Sequence, residues 1–489
     1  MKKPLPILAS LLPNLKDALF ILLFLSALIS GPRMLNIDGD LPRHLLMGKY
    51  VLEAGTPPTQ EIFSYPYEGE PYVSHEWLAG ILYYLSHILF GLNGVVLLAS
   101  LLIATTFTIL YSEVVKQNGE SFPTFLLALL GAAVTSIHWI PRPHLFTMLF
   151  LGIWLVWTER LSRERSPRLW MFPALMLCWG NIHAEFVAGF LTLLAYLAGW
   201  LWEYIFARQS LNSQTGRNLL LVTVASFLAT LINPAGLKTW ETILGYVNNS
   251  YLMSRITETR PPDFTQPEYL PLLILLVVSV AMMIIRRNKF SPAHIFLILG
   301  FGIMSLLSAR NAHLFGVVAL LVLSNGLSGL SNFQPFKRIE SLISRVEGQI
   351  NGHMVPIILT VAISISVLAR AGSFNRFEPT VFPVDAVGWL KNNPQSGRMF
   401  NAFDWGGYIL LHLWPEQKVF IESQTDVRGE LTREYEKVVT RKGDWQEVFA
   451  RYDIAWVIIP PQWELAKELI NTEWRIAYQD QTAIILVRK

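Results

Sequence analysis

Long uninterrupted runs of apolar residues constrain this chain more than any other feature of its sequence. The 489 residues are 52% hydrophobic and only 15% charged, whereas ordinary soluble domains carry about 25% charged residues. An apolar run of about 20 residues crosses the hydrocarbon core of a bilayer as a helix. The sequence therefore predicts a polytopic membrane protein.

Eleven of these runs are predicted to be transmembrane helices, so the main domain should be all-α. They lie near residues 18–36, 93–111, 122–140, 144–160, 169–182, 186–206, 218–233, 269–285, 291–309, 313–330 and 353–369. Several are shorter than a perpendicular span requires. The number of spans is therefore predicted as about eleven.

The apolar segment from Trp77 to Phe90 is treated differently, because it is short, contains His87 and is followed by Gly91. We predict an interfacial or re-entrant helix here. The segments then assigned to the cytoplasm carry 16 Lys and Arg residues, more than the outer loops, as the positive-inside rule requires. The protein is accordingly predicted to lie in the cytoplasmic (inner) membrane, with its N-terminus on the cytoplasmic side. Everything after Arg370 is predicted to lie on the outer side.

The pattern of apolar residues changes from Pro383 onwards and becomes that of a small α/β domain. Helices are predicted at 384–392, 408–413, 430–440, 445–452 and 464–471, strands at 398–401, 418–422 and 455–459, and a closing hairpin at 474–487. We therefore predict two domains: a transmembrane domain of residues 1–370, with an outer loop at 37–92, and a non-cytoplasmic α/β domain of residues 371–489.

Charge and cysteine content exclude some classes of function. The net charge is +3, and Lys and Arg do not cluster among stacking aromatic residues, so no nucleic-acid partner is expected. The only cysteine, Cys178, lies inside an apolar run. A disulfide within the chain and a metal site built from cysteines are therefore both excluded.

Polar and ionisable residues gather in the predicted outer loops, although such groups are expensive near a bilayer. The candidate site residues are Asp38, Asp40, His44, His75, Glu76, Arg142, His144, Asn181, His183, Glu185, Arg310 and His313. Because sequence-distant loops would bring these side chains to one membrane face, the pattern indicates an active site at the outer interface.

The acidic motif Asp38-Gly39-Asp40 is the first of these groups. We expect Gly39 to permit a tight turn that lets both carboxylates converge. The pair would hold a divalent cation, or one aspartate would act as general base; the alternative is a solvated turn that caps a helix. His75 and Glu76 would complete a metal or acid/base site, unless they merely flank an aromatic residue that anchors the interface.

The remaining polar groups suggest contacts with an anionic substrate. Arg142 and Arg310 would neutralise a phosphate, or else contact lipid headgroups as snorkelling side chains. A turn between two helices needs only a small polar residue, so His183 and Glu185 exceed that requirement and favour a functional role. The long outer loop at 233–268 would be a gate, a substrate contact or a simple cover.

Several short motifs resemble those of a known family. They are Asp38-Gly39-Asp40 after the first span, Gly48 to Gly55 with Pro57-Pro58, Phe63-Ser64-Tyr65, Gly69-x-Pro71-Tyr72, His75-Glu76-Trp77-Leu78, Phe403 to Tyr408 and Lys418 to Glu422. Together they resemble the glycosyltransferase-C superfamily, and within it the bacterial relatives of dolichyl-phosphate-mannose-protein mannosyltransferases.

This resemblance implies a polyprenyl-phosphate sugar donor and a reaction outside the cytoplasmic membrane. Asp38 or Asp40 would then be the catalytic base, and the other would bind the acceptor or a divalent cation, Mg²⁺ or Mn²⁺. The Lys-Pro-Pro segment of the mannosyltransferases is replaced here by Val73-Ser74-His75-Glu76. The donor headgroup and the metal requirement therefore stay open.

The sequence thus favours a membrane glycosyltransferase acting on a glycan, lipid or protein acceptor of the cell envelope. A transporter or lipid flippase is the second hypothesis, and it predicts charged residues or broken helices near the bilayer midplane. A non-catalytic scaffold for envelope assembly is the third. No phosphate-cradling glycine loop for a nucleotide sugar is present in the sequence.

Overall fold

The computed structural model describes residues 13–163, 168–206, 213–330, 333–347, 354–369, 374–423, 429–440 and 444–489. Each of the eleven predicted apolar runs falls on a helix, although the first is divided at Ser30 and the start of the last, residue 353, lies outside the described residues. Six helices of the described chain are long and apolar enough to cross a membrane, and three shorter ones are apolar as well. The chain is a multi-pass membrane protein.

The chain forms two compact units that do not follow sequence order. The first comprises Met1–Ser30, Val96–Ile232 and Ile256–Arg370, and the second comprises Gly31–Val95, Asn233–Arg255 and Ala371–Lys489. The predicted domain boundary at residues 370 and 371 lies outside the described residues. The predicted division into 1–370 and 371–489 stays a prediction.

The described residues of the first unit form helices joined by loops, without a strand. Its helices are Leu15–Ile29, the larger part of Trp77–Asn118, Ser121–Thr135, His144–Ser162, Met171–Ile182, Val187–Phe206, Ser213–Thr230, Leu270–Ile285, Pro292–Leu307, Ala312–Leu327, Gln334–Glu347 and Met354–Ala369.

The helix Ala312–Leu327 lies at the centre of this unit and is buried along almost its whole length. It packs closely against Ser121–Thr135, where a Cβ on Gly131 would lie 3.0 Å from the carbonyl oxygen of Gly316. Small residues at such crossings let two helix backbones approach, which is the usual basis of helix association in membranes.

The second unit contains the remaining helices and the only described sheet. The helices are Gly31–Asn36, Asp40–Ala54, the first part of Trp77–Asn118, Lys238–Val247, Ser250–Arg255, Val384–Asn392, Gly406–Leu413, Glu430–Thr440, Trp445–Arg451 and Glu464–Ile470. The strands are β1 (Arg398–Asn401), β2 (Ile454–Ile459), β3 (Trp474–Gln479) and β4 (Ile484–Arg488), in the spatial order β1-β2-β4-β3.

The sheet is mixed, and its central strands β2 and β4 are buried on both faces over most of their length. β1 pairs with β2 in parallel, and the hairpin of β3 and β4 pairs antiparallel, with β4 next to β2. Successive side chains of a strand point to opposite faces. Trp456 and Ile458 accordingly belong to one hydrophobic core, whereas Val457 and Ile459 belong to the other. This double burial accounts for the nearly continuous apolar run of β2.

The predicted elements of the C-terminal segment are confirmed with one exception. Residues 418–422 were expected to form a strand, but none is assigned there. Val419 and Phe420 are fully buried, yet the Val419 amide donates to the Phe63 carbonyl and the Phe420 amide donates to the Asn401 side chain. The apolar run thus predicted burial correctly, but these backbone amides donate to a loop carbonyl and to a side chain instead of to a neighbouring strand.

The predicted break after Trp77–Phe90 is also present. The helical stretch Trp77–Asn118 is divided in two by Phe90 and Gly91, whose backbone angles are not helical. Gly91 has φ 60° and ψ −154°. A positive φ of this kind is accessible to glycine at little cost. The interfacial or re-entrant position of Trp77–Phe90 stays a prediction.

Candidate active site

The acidic motif begins the helix Asp40–Ala54 of the second unit. An oxygen of the Asp38 carboxylate accepts a hydrogen bond from the Asp40 amide at 2.9 Å, and both aspartates are half-buried. The expected reason for the glycine between them was wrong, because Gly39 has φ −91° and ψ 3°, a backbone conformation that other residues adopt. A Cβ on Gly39 would instead lie 2.1 Å from the Asp404 carbonyl oxygen.

His44, His75 and Glu76 lie together in the same unit, as the sequence predicts for an acid/base group. The Nδ1 of His44 is 3.9 Å from one Glu76 oxygen, and the Nε2 of His75 is 3.7 Å from the other. His44 is buried, whereas His75 is partly exposed. Two imidazoles therefore flank one carboxylate at the start of the helix that begins with Trp77.

A buried ion pair lies behind the acidic motif and was missed from the sequence. The Nε of Arg43 is 3.2 Å from Glu422, and both side chains are fully buried. The guanidinium also donates to the Tyr72 hydroxyl at 3.1 Å and lies over the Phe63 ring. Arg43 is only three residues beyond Asp40, so this pair fixes the first turn of the helix that carries the motif.

Glu61 adds a second buried carboxyl group to this ion pair. One of its oxygens accepts from the Phe63 amide at 2.7 Å and from the Ser64 amide at 2.9 Å. Burial and the nearby Glu422 carboxylate raise the pKa of Glu61, although Arg43 and the two amides oppose the change. A local sequence pattern does not reveal this arrangement, because Glu422 is distant along the chain.

The first unit contains the other predicted group, arranged around Glu185. The Nε2 of His313 is 3.0 Å from this carboxylate, the Nδ1 of His183 is 3.4 Å away, and the Nε of Arg310 is 3.7 Å away. Glu185 follows the extended residue His183, Arg310 lies in a short 3₁₀ turn just before the central helix, and His313 lies in the first turn of that helix. The structure thus brings four of the predicted residues together.

Two further imidazoles pack against His313. The ring centroids of His144 and His313 are 5.4 Å apart, and those of His138 and His313 are 5.1 Å apart. His144 was predicted, but His138 was missed because it ends an apolar run. The sequence contained one signal that could have identified His138: it lies only six residues before His144, near the same predicted loop.

Arg142 and Arg310 face a carboxylate that was also missed. An oxygen of Glu258 is 3.5 Å from a terminal nitrogen of Arg142 and 3.7 Å from the Nε of Arg310. Glu258 belongs to the long loop at 233–268, for which a gate or substrate contact was one hypothesis. We name Arg142, Glu185, Glu258 and Arg310 the charged cluster.

The Asn181 side chain forms hydrogen bonds at the end of the helix Met171–Ile182. Its amide nitrogen donates to the Leu177 carbonyl at 2.9 Å and to the Ile232 carbonyl at 3.0 Å. These bonds hold the end of Met171–Ile182 to the segment after Ser213–Thr230. Its predicted role in substrate binding stays a prediction.

The described residues contain no set of ligands for the predicted divalent cation. No group of three or more His, Cys, Asp or Glu side chains in these ranges is placed to hold a metal ion, whereas Mg²⁺ requires near-ideal octahedral coordination. Asp38 also uses one oxygen to bind the Asp40 amide. The predicted divalent cation therefore stays a prediction.

The two predicted groups belong to different compact units. The acidic motif and the His44–Glu76 group lie in the second unit, and the charged cluster with its histidines lies in the first. The sequence-based prediction that all of them line one cavity at the outer membrane face stays a prediction.

The predicted glycosyltransferase-C-like fold agrees with the folds of solved membrane proteins that this chain resembles. The archaeal oligosaccharyltransferase AglB from Archaeoglobus fulgidus, solved with an inhibitory peptide and a dolichol-phosphate, is similar at a TM-score of 0.60 and 13% identity, over 91% of this chain and 69% of that one. ArnT from Cupriavidus metallidurans, solved with undecaprenyl phosphate, is similar at 0.51 and 15% identity, over 96% of this chain and 97% of that one. No protein-family model and no curated protein matches the sequence.

Proposed function

We propose that this chain is a membrane glycosyltransferase that moves a sugar from a polyprenyl-phosphate donor to an envelope acceptor, outside the cytoplasmic membrane. The observation that carries the proposal is the placement of Arg142 and Arg310 in the charged cluster, within a fold similar to those of AglB and ArnT, each of which has been solved with a lipid phosphate. Nucleotide sugars are not the expected donor, because they are absent from that side of the membrane.

The charged cluster would hold the donor phosphate. Guanidinium groups offer a fork of donors that matches phosphate oxygens, and the side chains of Arg142 and Arg310 are 19% and 30% exposed, so a ligand can reach them. His144, His183 and His313 lie beside this cluster, where both ring nitrogens of His313 already contact the Arg310 carbonyl and Glu185. This environment stabilises the negative charge that builds up on the leaving phosphate.

The acidic motif would supply the general base. In the proposed step, the acceptor oxygen forms a bond to the anomeric carbon of the sugar while the bond from that carbon to the phosphate oxygen breaks. The phosphate leaves with the bonding electron pair, and the acceptor proton passes to Asp38 or Asp40. Glu76, flanked by His44 and His75, is the alternative base. No step is assigned to a metal ion.

The two other hypotheses lead to different expectations. A transporter needs polar groups near the bilayer midplane. A deeply buried acid of the first unit, Glu159, pairs with His294 at 3.0 Å but lies in the last turn of His144–Ser162, at a helix end. A scaffold would bind a lipid phosphate without turning it over, so turnover separates it from the enzyme.

The decisive experiment uses the purified full-length chain in lipid nanodiscs with a panel of undecaprenyl-phosphate monosaccharides. Release of undecaprenyl phosphate is measured for the native chain, for Asp38→Asn and for Asp40→Asn. Asp385→Asn is the matched control, because Asp385 is an exposed aspartate of the helix Val384–Asn392. We expect one aspartate variant to lose at least about 100-fold in rate, and native turnover in both would remove the proposed base.

A further inference from the structure

The charged cluster already contains as much negative as positive charge. Arg142 and Arg310 contribute two positive charges, and Glu185 and Glu258 contribute two negative ones. A phosphate added to this arrangement would introduce a third anion next to two carboxylates, which like-charge repulsion disfavours. Movement of one carboxylate away from the arginines would therefore favour binding of an anion.

The two carboxylates are held very differently. Glu185 contacts His313 at 3.0 Å and His183 at 3.4 Å, and its side chain is 16% exposed. Glu258 is more exposed, at 27%, and its contacts to the arginines are longer, at 3.5 and 3.7 Å. Glu258 is therefore the carboxylate that can leave at lower cost.

The loop that carries Glu258 stays in place without this side chain. The Ser308 hydroxyl donates to the Glu258 backbone carbonyl at 3.2 Å, and the Ala309 amide donates to the Arg260 carbonyl at 2.8 Å. Both bonds use backbone acceptors of the loop. A rotation of the Glu258 side chain alone can open the position between the two guanidiniums.

We propose that the Glu258 carboxylate is an internal competitor that occupies the phosphate position between Arg142 and Arg310 and is displaced when the lipid phosphate binds. This inference rests on the proposed function. A sugar-linked phosphate is a diester with one negative charge, so its exchange with the one charge of Glu258 leaves the cluster neutral.

The same competition would assist product release. After the sugar has been transferred, the lipid phosphate is a monoester with a charge of about −1.5 to −2 at neutral pH, and two arginines attract it more strongly than they attract the donor. Return of Glu258 would oppose this retention. The residue thus sets the balance between donor binding and product dissociation.

The test measures the Kd of undecaprenyl phosphate for the full-length chain in nanodiscs, by microscale thermophoresis. Glu258→Gln removes the charge and keeps the size of the side chain, so we expect binding about 10-fold tighter than in the native chain. Glu268→Gln is the matched control, because Glu268 is exposed near the end of the same loop, and it should leave the Kd unchanged. Arg310→Gln should weaken binding about 10-fold.

The outcomes separate this inference from the proposed function. If native protein binds and turns over the donor but Glu258→Gln binds with unchanged or weaker affinity, Glu258 positions the arginines and the competitor role is wrong. If the native chain neither binds undecaprenyl phosphate nor releases it from a donor, both proposals fail. The Kd of inorganic phosphate is measured in parallel. If Glu258→Gln tightens the binding of both ligands, the phosphate group alone is recognised; if it tightens only the binding of undecaprenyl phosphate, the lipid tail is needed as well.

Turnover gives a second readout that a purely structural role would not produce. In Glu258→Gln we expect a lower KM for the donor together with a lower kcat, because the product leaves more slowly. Equal falls in kcat and in kcat/KM, with no change in KM, would indicate a group that acts only in the transition state and would contradict the competitor role.

Discussion

Gly39 lies directly against the backbone of Asp404, so that a Cβ on residue 39 would be 2.1 Å from the Asp404 carbonyl oxygen. Within the second unit, this contact joins the acidic motif to the short turn at Phe403–Trp405. This close contact explains the glycine in the motif. The turn itself does not require glycine, since the φ of Gly39 is −91°. The need for glycine between the two aspartates therefore depends on a residue far along the chain, in the C-terminal segment.

Gly39→Ala should separate these two segments. Alanine is compatible with the backbone conformation, so the effect reports only the clash, and overpacking of this kind costs about 1–3 kcal/mol. We expect a lower thermal unfolding temperature in detergent and a loss of turnover. Gly388→Ala is the control, because a Cβ on Gly388 would meet nothing within 4 Å and alanine favours its helix. Equal stability of Gly39→Ala and native protein would contradict the contact.

Arg43 tests the buried ion pair behind the motif. Removing one partner of a buried pair leaves an uncompensated charge and typically costs about 3–5 kcal/mol, and both Arg43 and Glu422 are fully buried. We expect Arg43→Gln to unfold at a clearly lower temperature, and the double variant Arg43→Gln with Glu422→Gln to recover part of the loss. Arg451→Gln, at an exposed ion pair, should change little. A single variant as stable as the native chain would refute this account.

Glu61 should make stability depend on pH in the direction opposite to that of most acids. Its folded-state pKa is raised, mainly by burial and then by Glu422, above the ordinary value of about 4.3. The native state therefore keeps a proton that the unfolded state has lost, and stability falls as pH rises from about 4 through the folded-state pKa. The contribution of this group is fully present only below the unfolded-state pKa.

Glu61→Gln provides the measurement. Glutamine can accept the same hydrogen bonds from Phe63 and Ser64 but carries no charge, so its unfolding temperature should exceed that of the native chain at pH 7 and approach it near pH 4. Glu70→Gln, at an exposed position, should show no such trend. A variant that is less stable throughout this range would mean that the Glu61 charge is favourable.

Much of the helical framework was predictable, because a membrane span requires a long apolar run and such runs are visible in one sequence. The ion pairs were not, since they depend on distant partners. Arg142 and Glu258 are 116 positions apart, and Arg43 meets a carboxylate in the C-terminal segment. Val419 and Phe420 have the pattern of a strand, but their amides bind Phe63 and Asn401, which no periodicity reveals.

Cysteine labelling tests the predicted orientation in the membrane. Cys178→Ala removes the only thiol, and single cysteines are then placed at the exposed positions Glu70 and Ser341 and at the half-buried position Gln395. Segments rich in Lys and Arg stay in the cytoplasm, and Ser341 lies in the basic segment Gln334–Glu347. In intact spheroplasts, a membrane-impermeant maleimide should therefore label positions 70 and 395, and position 341 only after permeabilisation. Labelling of position 341 in intact spheroplasts, with position 70 labelled only after permeabilisation, would reverse the topology and remove the acidic motif from the outer face.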